Sequence, residues 1–173
     1  MFIYEDYIDK KICKDLIDCY ENNENKTTQN DNFKKMSEIY LNCEDKKLNN
    51  YFSALYNILK KYIKKYEYID KGQEPWYTSP ILKIQKYKPG ESYFGWHTES
   101  TGYQGNNNRI LAFSTFLNDI KKGGETEFFY QKQKIKPETG KTILFPSFWT
   151  HTHRGIVTQE TKYIITGWYT YVH

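Results

Sequence analysis

The stretch ILKIQKYKPGESYFGWHTE, residues 81–99, contains two short runs rich in apolar and aromatic residues on either side of the turn-forming pair Pro89-Gly90. Short runs of this kind, bounded by Gly, Pro or Asn, are typical of β-strands. We therefore predict strands at 81–88 and 92–99. Further runs with similar bounds predict strands at 109–118, 125–131, 141–146, 149–156 and 162–172.

The residues before position 75 have a different pattern. Their apolar side chains recur at helical spacing, first over 8–19 and then over 48–63, which predicts two amphipathic helices. The polar segment ENNENKTTQNDN, residues 21–32, predicts a mobile loop between them. Helices followed by seven or eight short strands predict a mainly β fold, a jelly roll with N-terminal helices packed on one sheet.

The length of 173 residues favours a single domain, 1–173, with a helical support region at 1–75 and a jelly-roll core at 76–173. Three cysteines without a CxxC pair predict reduced thiols. The N-terminus does not have the pattern of a signal peptide, and no apolar run approaches the roughly 20 residues of a membrane span. We therefore expect a cytoplasmic protein without a membrane partner, either a monomer or a weak dimer.

The net charge of +4 comes almost entirely from lysines that are scattered among acidic residues. A mixed charge pattern is typical of a solvated surface and not of a nucleic-acid-binding face. We therefore expect no nucleic-acid partner.

His97 and Glu99 are the first candidates for metal ligands. In a strand, residues two apart point to the same face, so both side chains can reach one point in space. An imidazole, a carboxylate and a second imidazole form the two-His, one-carboxylate set of non-haem iron sites. The second imidazole would come from His151 or His153, which also share a face if 149–156 is a strand. Spacing alone does not choose between them, and we expect His173 to be a surface residue.

Lys162 begins the apolar run KYIITGWYTYV. A lysine in such a strand needs either a partner for its ammonium or a route for its side chain to water. A dicarboxylate that binds the metal at one end would need a cation at its other end, and Lys162 can provide that cation.

Taken in order, the segments IQKYKPGESYFGWHTE, RILAFSTFLND, GGETEF, LFPSFWTHTHRG and KYIITGWY resemble the prolyl 4-hydroxylase-like Fe(II)/2-oxoglutarate-dependent oxygenases over roughly residues 80–172. The resemblance implies a double-stranded β-helix with iron at its mouth. The iron ligands would be His97, Glu99 and His153, the last because it lies nine residues before Lys162, and His151 would be a candidate for a position next to the ligands or the substrate.

The resemblance also implies the rest of the site. Lys162 and Tyr87 would bind the far carboxylate of 2-oxoglutarate, and Thr126 and Thr166 would be further cofactor-binding residues of the pocket. Fe(II) would be the cofactor and 2-oxoglutarate and O2 the co-substrates, with ascorbate as a candidate reductant. Candidates for the pocket lining are aromatic residues, namely Trp96, Phe128, Phe145, Trp149 and Trp168.

The chain departs from the family pattern at two positions. Glu99 stands where most members have Asp, which keeps the carboxylate but adds a methylene. Phe116 stands where some relatives place a Tyr near the co-substrate. Arg154 follows His153 and is expected on the opposite face, in a structural role, with a contact to the substrate as the alternative.

The implied activity is a dioxygenase that hydroxylates a C–H bond, with a prolyl or another residue of a peptide or protein as the favoured substrate. Two alternatives remain, a hydroxylase of a small molecule or free amino acid and a metal-free jelly-roll binding module. Nucleic-acid demethylation is disfavoured because RGIVTQETK, residues 154–162, contains a single Arg.

Overall fold

The structure is a computed structural model that describes residues 1–71, 74–103 and 105–172. The described residues form two α-helices, α1 (Lys10–Glu21) and α2 (Asn49–Lys65), together with short 3-10 helices. They also form twelve strands, β1 (Tyr4–Tyr7), β2 (Thr27–Asn30), β3 (Lys34–Asn42), β4 (Trp76–Thr78), β5 (Ile81–Tyr87), β6 (Ser92–Tyr93), β7 (Arg109–Phe116), β8 (Thr126–Phe128), β9 (Gln133–Ile135), β10 (Lys141–Pro146), β11 (His153–Gly155) and β12 (Lys162–Tyr171).

The strands form two antiparallel sheets. The larger has the order β1-β10-β7-β12-β5-β3-β2, with β4 paired to β12 and β6 paired to β3. The smaller has the order β11-β8-β9. Phe128 and Ile135 of the small sheet belong to one buried cluster with Phe145 and Trp168 of the large sheet. This arrangement confirms the predicted mainly β jelly roll, the double-stranded β-helix.

The two helices cover the opposite face of the large sheet. Leu16 of α1 and Leu55 of α2 are buried in a second cluster with Phe113 of β7 and Ile165 of β12. Burying each such side chain contributes about 1.5–3 kcal/mol, so this layer anchors the N-terminal region to the sheet. Because side chains alternate along a strand, Ile165 faces the helices while its neighbour Ile164 faces the space between the sheets.

The N-terminal region is less helical than predicted. It contains β1, which pairs with β10, and β2, which pairs with β3 over part of the segment predicted as a mobile loop. The four residues of β2 are all polar and lie at the edge of the sheet, so they need no apolar face. A criterion based on apolar runs does not detect such a strand.

Two predicted strands around the candidate ligands are shorter than expected. Of 92–99 only Ser92 and Tyr93 form a strand, and His97 makes an isolated bridge with His153. The segment 149–156 starts as a 3-10 helix, Trp149–His151, and becomes β11 only at His153. Strand β9 follows a turn and was not predicted.

No helix formed by the described residues is both long and apolar enough to cross a bilayer. The predicted surface position of His173 falls outside the described part of the chain, as do residues 72 and 73, which precede the predicted boundary at residue 75.

Candidate metal centre

A cavity of about 740 Å3 lies between the two sheets. The three candidate ligands His97, Glu99 and His153 all line it. The four candidates for 2-oxoglutarate binding line the same cavity, namely Tyr87, Thr126, Lys162 and Thr166. The large sheet supplies Tyr87, Lys162 and Thr166, whereas His153 and Thr126 come from the small sheet, so the two halves of the candidate site meet across the cavity.

Backbone pairing brings the two histidines together. The amide N–H of His97 donates to the carbonyl of His153, and the amide of His153 donates to the carbonyl of His97, both at 3.0 Å. The ring of His97 also stacks on Tyr93, with centroids 3.8 Å apart. The bridge and the stack fix the imidazole of His97 without a regular strand.

Three ligand atoms converge from these residues. Oε1 of Glu99 lies 3.3 Å from Nε2 of His153 and 3.7 Å from Nε2 of His97. The ligand atoms of all three residues lie within 4.8 Å of one another. The lone pairs of these nitrogen and oxygen atoms repel one another. The arrangement is therefore stable only when a cation lies among them, either a proton on a ring nitrogen or a metal ion.

The other nitrogen of each ring sets its tautomer. Nδ1 of His97 lies 2.9 Å from the carbonyl oxygen of Gly95, and Nδ1 of His153 lies 2.9 Å from that of His151. A carbonyl oxygen only accepts, so each Nδ1 carries the hydrogen. Nε2 of each ring therefore faces Glu99, and it can hold either a proton that the carboxylate accepts or a metal ion, as metal-binding histidines do.

Glu99 is oriented by a residue far from it in sequence. The indole N–H of Trp168 donates to Oε2 at 2.8 Å, which leaves Oε1 to face the imidazoles. The guanidinium carbon of Arg109 lies 3.6 Å from the ring centroid of the same indole, and its Nη1 lies 3.8 Å from Oε2 of Glu99. Burial alone raises the pKa of the Glu99 carboxyl, but its interactions with His153 and His97 outweigh burial and hold the pKa well below its usual range. The carboxylate and imidazole donors fit ferrous iron.

Lys162 is a buried cation, only 3% exposed. Its Nζ donates to the carbonyl of Gly124 at 3.0 Å and lies 4.5 Å from the ring centroid of Tyr87. The structure pairs it with no carboxylate among the described residues, and burial lowers its pKa to about 8 against a weak opposing effect of Glu125. A buried ammonium with spare donors and no counterion fits an anionic ligand in the cavity.

Three further candidates line the same cavity as Lys162, namely Tyr87, Thr126 and Thr166. Tyr87 is the register partner of Lys162 on the neighbouring strand, and burial raises the pKa of its phenol, so the group is a neutral donor. Thr166 lies on the same face of β12 as Lys162, and its hydroxyl donates to Oε1 of Gln85 at 3.5 Å. Thr126 contributes to the opposite wall from β8.

The five aromatic candidates for the lining divide into three groups. Trp168 and Phe145 line the cavity. Phe128 is fully buried behind it, with its ring 5.4 Å from that of His153. Trp96 and Trp149 are on the surface, and Trp149 is 67% exposed. Phe116, at the position where some relatives have a Tyr, is also fully buried in the core between the sheets.

The expectation for the His151 side chain was wrong. The 3-10 turn Trp149–His151 rotates it away from the face of His153, and its Nε2 lies 3.1 Å from the carbonyl of Met1. Only the backbone of His151 contributes to the site, through the carbonyl that fixes the ring of His153.

Arg154 has the structural contacts expected of it, although its side chain reaches the cavity wall. Its Nε donates to Oε2 of Glu127 at 2.8 Å, and its guanidinium lies 4.4 Å from the ring centroid of Trp96.

No local pattern in the sequence indicates the roles of Trp168 and Arg109 next to Glu99. They lie 69 and 10 residues from Glu99 in the chain, and only the pairing of β7 with β12 brings them together.

A jelly roll that presents two imidazoles and one carboxylate to a cavity defines a mononuclear non-haem iron protein. The chain belongs to the 2OG-Fe(II) oxygenase superfamily, whose sequence profile matches residues 82–170. It is a 2-oxoglutarate-dependent dioxygenase, with Fe(II) as cofactor and 2-oxoglutarate and O2 as co-substrates.

Solved structures with the same fold include prolyl hydroxylases. One is the viral collagen prolyl hydroxylase from Paramecium Bursaria Chlorella virus-1, solved as a 2OG complex. Its sequence is 17% identical to this chain, and its structure superposes with a TM-score of 0.75. The alignment covers 99% of this chain and 97% of the viral enzyme. A Pseudomonas putida prolyl-4-hydroxylase is 15% identical, with a TM-score of 0.76 and coverage of 99% and 94%.

A third structure contains a peptide. The prolyl hydroxylase from Trichoplax adhaerens, in complex with a hypoxia inducible factor oxygen degradation domain peptide fragment, is 12% identical with a TM-score of 0.74. It covers 98% of this chain and 83% of its own. A search of curated protein sequences gives no significant match.

Proposed function

We propose that the protein hydroxylates a prolyl or other residue within a peptide. In this proposal His97, Glu99 and His153 bind ferrous iron. Lys162 and Tyr87 bind the far carboxylate of 2-oxoglutarate.

The observation that carries the co-substrate assignment is the buried ammonium of Lys162, which has no carboxylate partner among the described residues and lies in the same cavity as the three ligands. A cavity with a cation site at one end and a metal site at another suits a dicarboxylate that bridges them. Tyr87 can add a hydrogen bond from its neutral phenol. Thr126 and Thr166 are proposed to complete the pocket.

When bound, ferrous iron and 2-oxoglutarate together activate O2, so that one oxygen atom enters a substrate C–H bond and the other enters succinate as CO2 is released. The chain's residues supply orientation and charge. Trp168 directs Oε1 of Glu99 towards the imidazoles, and Lys162 neutralises the co-substrate. Phe145 and Ile164 line the cavity with apolar surface, which limits water near the reacting bond.

The form of the cavity supports a peptide substrate. It extends beyond the metal ligands to a rim with exposed side chains, including Tyr40, Ile81 and Tyr103. An open rim of this kind leaves room for chain on both sides of a target residue. The peptide complex of the Trichoplax enzyme provides support by analogy, since that enzyme has the same fold.

The test combines co-substrate turnover with product analysis. Purified protein is incubated with Fe(II), 2-oxoglutarate, ascorbate and a pool of proline-containing peptides, and succinate and peptide masses are measured. We expect succinate formation and a gain of one oxygen atom in a peptide, both lost in His97→Ala.

Two other results would contradict this proposal. Succinate formation stimulated only by free amino acids or other small molecules would assign the enzyme to the alternative substrate class. The absence of succinate under all conditions would favour a binding module.

A further inference from the structure

The cavity holds more positive charge than the metal and the co-substrate require. Among the described residues that line it, five are cationic and one, Glu99, is acidic; the cations are Lys34, Lys83, Arg109, Arg154 and Lys162. Arg154 is paired with Glu127, and Lys162 is assigned to 2-oxoglutarate. Three cations therefore remain on the substrate side.

The loaded centre does not neutralise these cations. Fe(II), Glu99, 2-oxoglutarate and Lys162 carry charges of +2, −1, −2 and +1, which sum to zero. Two of the three remaining cations have another carboxylate nearby. Nζ of Lys83 lies 3.7 Å from Oε2 of Glu38, and Lys34 interacts with the exposed Asp31. With both carboxylates counted, the substrate side keeps an excess of about one positive charge.

Lys83 and Arg109 both lie close to one indole ring. The guanidinium of Arg109 lies 3.6 Å from the ring centroid of Trp168, and Nζ of Lys83 lies 6.0 Å from it. Burial lowers the pKa of Lys83, and the positive charges of Lys34 and Arg109 lower it further. The carboxylates of Glu38 and Glu99 raise it but do not outweigh these effects. The cations are therefore near enough to repel one another, and a shared anion would relieve that repulsion.

Both groups also have unused hydrogen-bond donors. Nε of Arg109 is buried and has no hydrogen-bond partner in the described ranges, while its Nη1 donates to the backbone carbonyl of Glu99 at 3.1 Å. Glu38 already accepts from Tyr40 at 2.7 Å and from Gln85 at 3.2 Å. The ammonium of Lys83 has no hydrogen-bond acceptor within the described residues, so its donors remain available to a ligand.

Lys34 adds a third cation from another strand. Its Nζ lies 5.7 Å from the ring centroid of Tyr93, the residue that stacks on His97. Lys34 makes no ion pair within the described part of the chain, although its charge interacts with the carboxylate of the exposed Asp31. It adds a positive charge to the wall that carries the metal ligand.

These cations lie away from Lys162. Lys83 is the register partner of Thr166 on β12, and Tyr87 is that of Lys162. Four residues of strand separate the two pairs, or about 13 Å at about 3.3 Å per residue. The co-substrate pocket and the three cations therefore adjoin at Thr166, while the far carboxylate of 2-oxoglutarate at Lys162 leaves Lys83 and Arg109 free.

We propose that Lys83, Arg109 and Lys34 form a subsite for a carboxylate of the substrate, so that the enzyme selects a target residue close to an acidic group. The carboxylate can come from an acidic side chain or from the end of the chain. This inference rests on the proposed peptide hydroxylase function and specifies its substrate class.

The test measures peptide binding separately from turnover. Labelled peptides carry either Glu or Gln within two residues of the target position, and either Pro or Ala at that position, and all have an amidated C-terminus. Their affinities for the enzyme loaded anaerobically with Fe(II) and 2-oxoglutarate are measured by fluorescence anisotropy. A further Gln peptide with a free C-terminus tests the terminal carboxylate as the source.

We expect a Glu peptide to bind about tenfold more tightly than its Gln counterpart at low salt, the effect of one charge-assisted hydrogen bond. The preference should decrease as salt is added. It should also hold when Ala replaces Pro, because the subsite does not contact the target ring. If only the free C-terminus improves binding, the subsite reads the terminal carboxylate.

Matched variants locate the effect. Lys83→Met and Lys34→Gln should each reduce the Glu-to-Gln preference about threefold or more, whereas Lys83→Arg should retain it. Lys35→Gln is the control, because it removes the same charge from the next residue of β3, which is exposed and does not line the cavity. Lys34 and Lys83 lie on different strands, so a folding defect in one variant leaves the other informative.

Equal affinity for Glu, Gln and free-terminus peptides would overturn the subsite. A preference that survives in both Lys83→Met and Lys34→Gln would also overturn it. Peptide oxidation is followed in the same reactions, with air admitted, by mass spectrometry. Acid-selective binding without hydroxylation of any peptide would refute the proposed function while the subsite stands.

Discussion

Replacing Lys162 with Met should have two effects of opposite sign, one on stability and one on ligand binding. Met keeps a similar length and shape but removes the buried ammonium. The folded protein lowers the pKa of Lys162 from 10.5 to about 8, a difference of about 2.5 units or about 3 kcal/mol at about 1.36 kcal/mol per unit. This is the cost, at neutral pH, of keeping the charge inside the ligand-free protein.

The variant also leaves the carbonyl of Gly124 without its donor, which costs about 1 kcal/mol. The net stabilisation of the ligand-free variant is therefore about 2 kcal/mol, or a rise in Tm of about 4–8 °C for a chain of this size. The cost is present in full below pH 8 and disappears as pH rises towards 10.5, because the lysine is then neutral in both states. The difference in stability should therefore shrink between pH 8 and pH 10.

Binding should change in the other direction. A carboxylate left in this cavity without its cation should lose about 2–5 kcal/mol, or roughly thirtyfold to several thousandfold in affinity. Anaerobic titration of 2-oxoglutarate into the iron-loaded protein measures this loss, and iron affinity should stay nearly unchanged. Tyr87→Phe, which removes one hydrogen bond to a charged group, should cost about 1.5–3 kcal/mol.

Lys162→Arg is the matched control, because it keeps the charge in a bulkier, planar group. It should bind 2-oxoglutarate more tightly than Lys162→Met. If Lys162→Met binds 2-oxoglutarate as tightly as the wild type, the co-substrate pocket lies elsewhere. If ligand-free Lys162→Met is instead strongly destabilised, the ammonium of Lys162 already has a counterion in the wild type. The expected stabilisation, which assumes a buried ammonium without a counterion, would then be wrong.

Three other results are expected. His97→Ala and His153→Ala should each abolish iron-dependent succinate formation. His151→Ala should keep most of it, because the side chain of His151 faces Met1. Equal loss in all three variants would mean that His151 has a further role. Glu99→Asp should retain reduced activity and Glu99→Ala should lose hydroxylation, and a fully active Ala variant would remove this carboxylate from the metal. The affinity for 2-oxoglutarate should fall as pH rises above about 8, since only the protonated form of Lys162 binds it, and Lys162→Arg should show no such fall when titrated in parallel.

The strands of the core were predictable because each is a short run bounded by residues that end strands. Of these, β5, β7, β10 and β12 lie close to their predicted positions. These four are neighbours in the large sheet, so most of the scaffold of the cavity was readable from local sequence. Strand β2 was not, because it is polar throughout and is held by backbone pairing to β3.

The sequence by itself determined which groups were available for iron and for a dicarboxylate, because four histidines and one lysine at the start of an apolar strand leave few choices. Only the tertiary structure decided how they are used. A 3-10 turn, set by contacts that alternation cannot anticipate, separates His151 from His153. The orientation of Glu99 depends on Trp168, 69 residues away, and the isolation of the ammonium of Lys162 depends on the closure of two sheets around it. Hydrogen-bond partners and burial of this kind arise from long-range packing, and a local pattern of residues does not encode them.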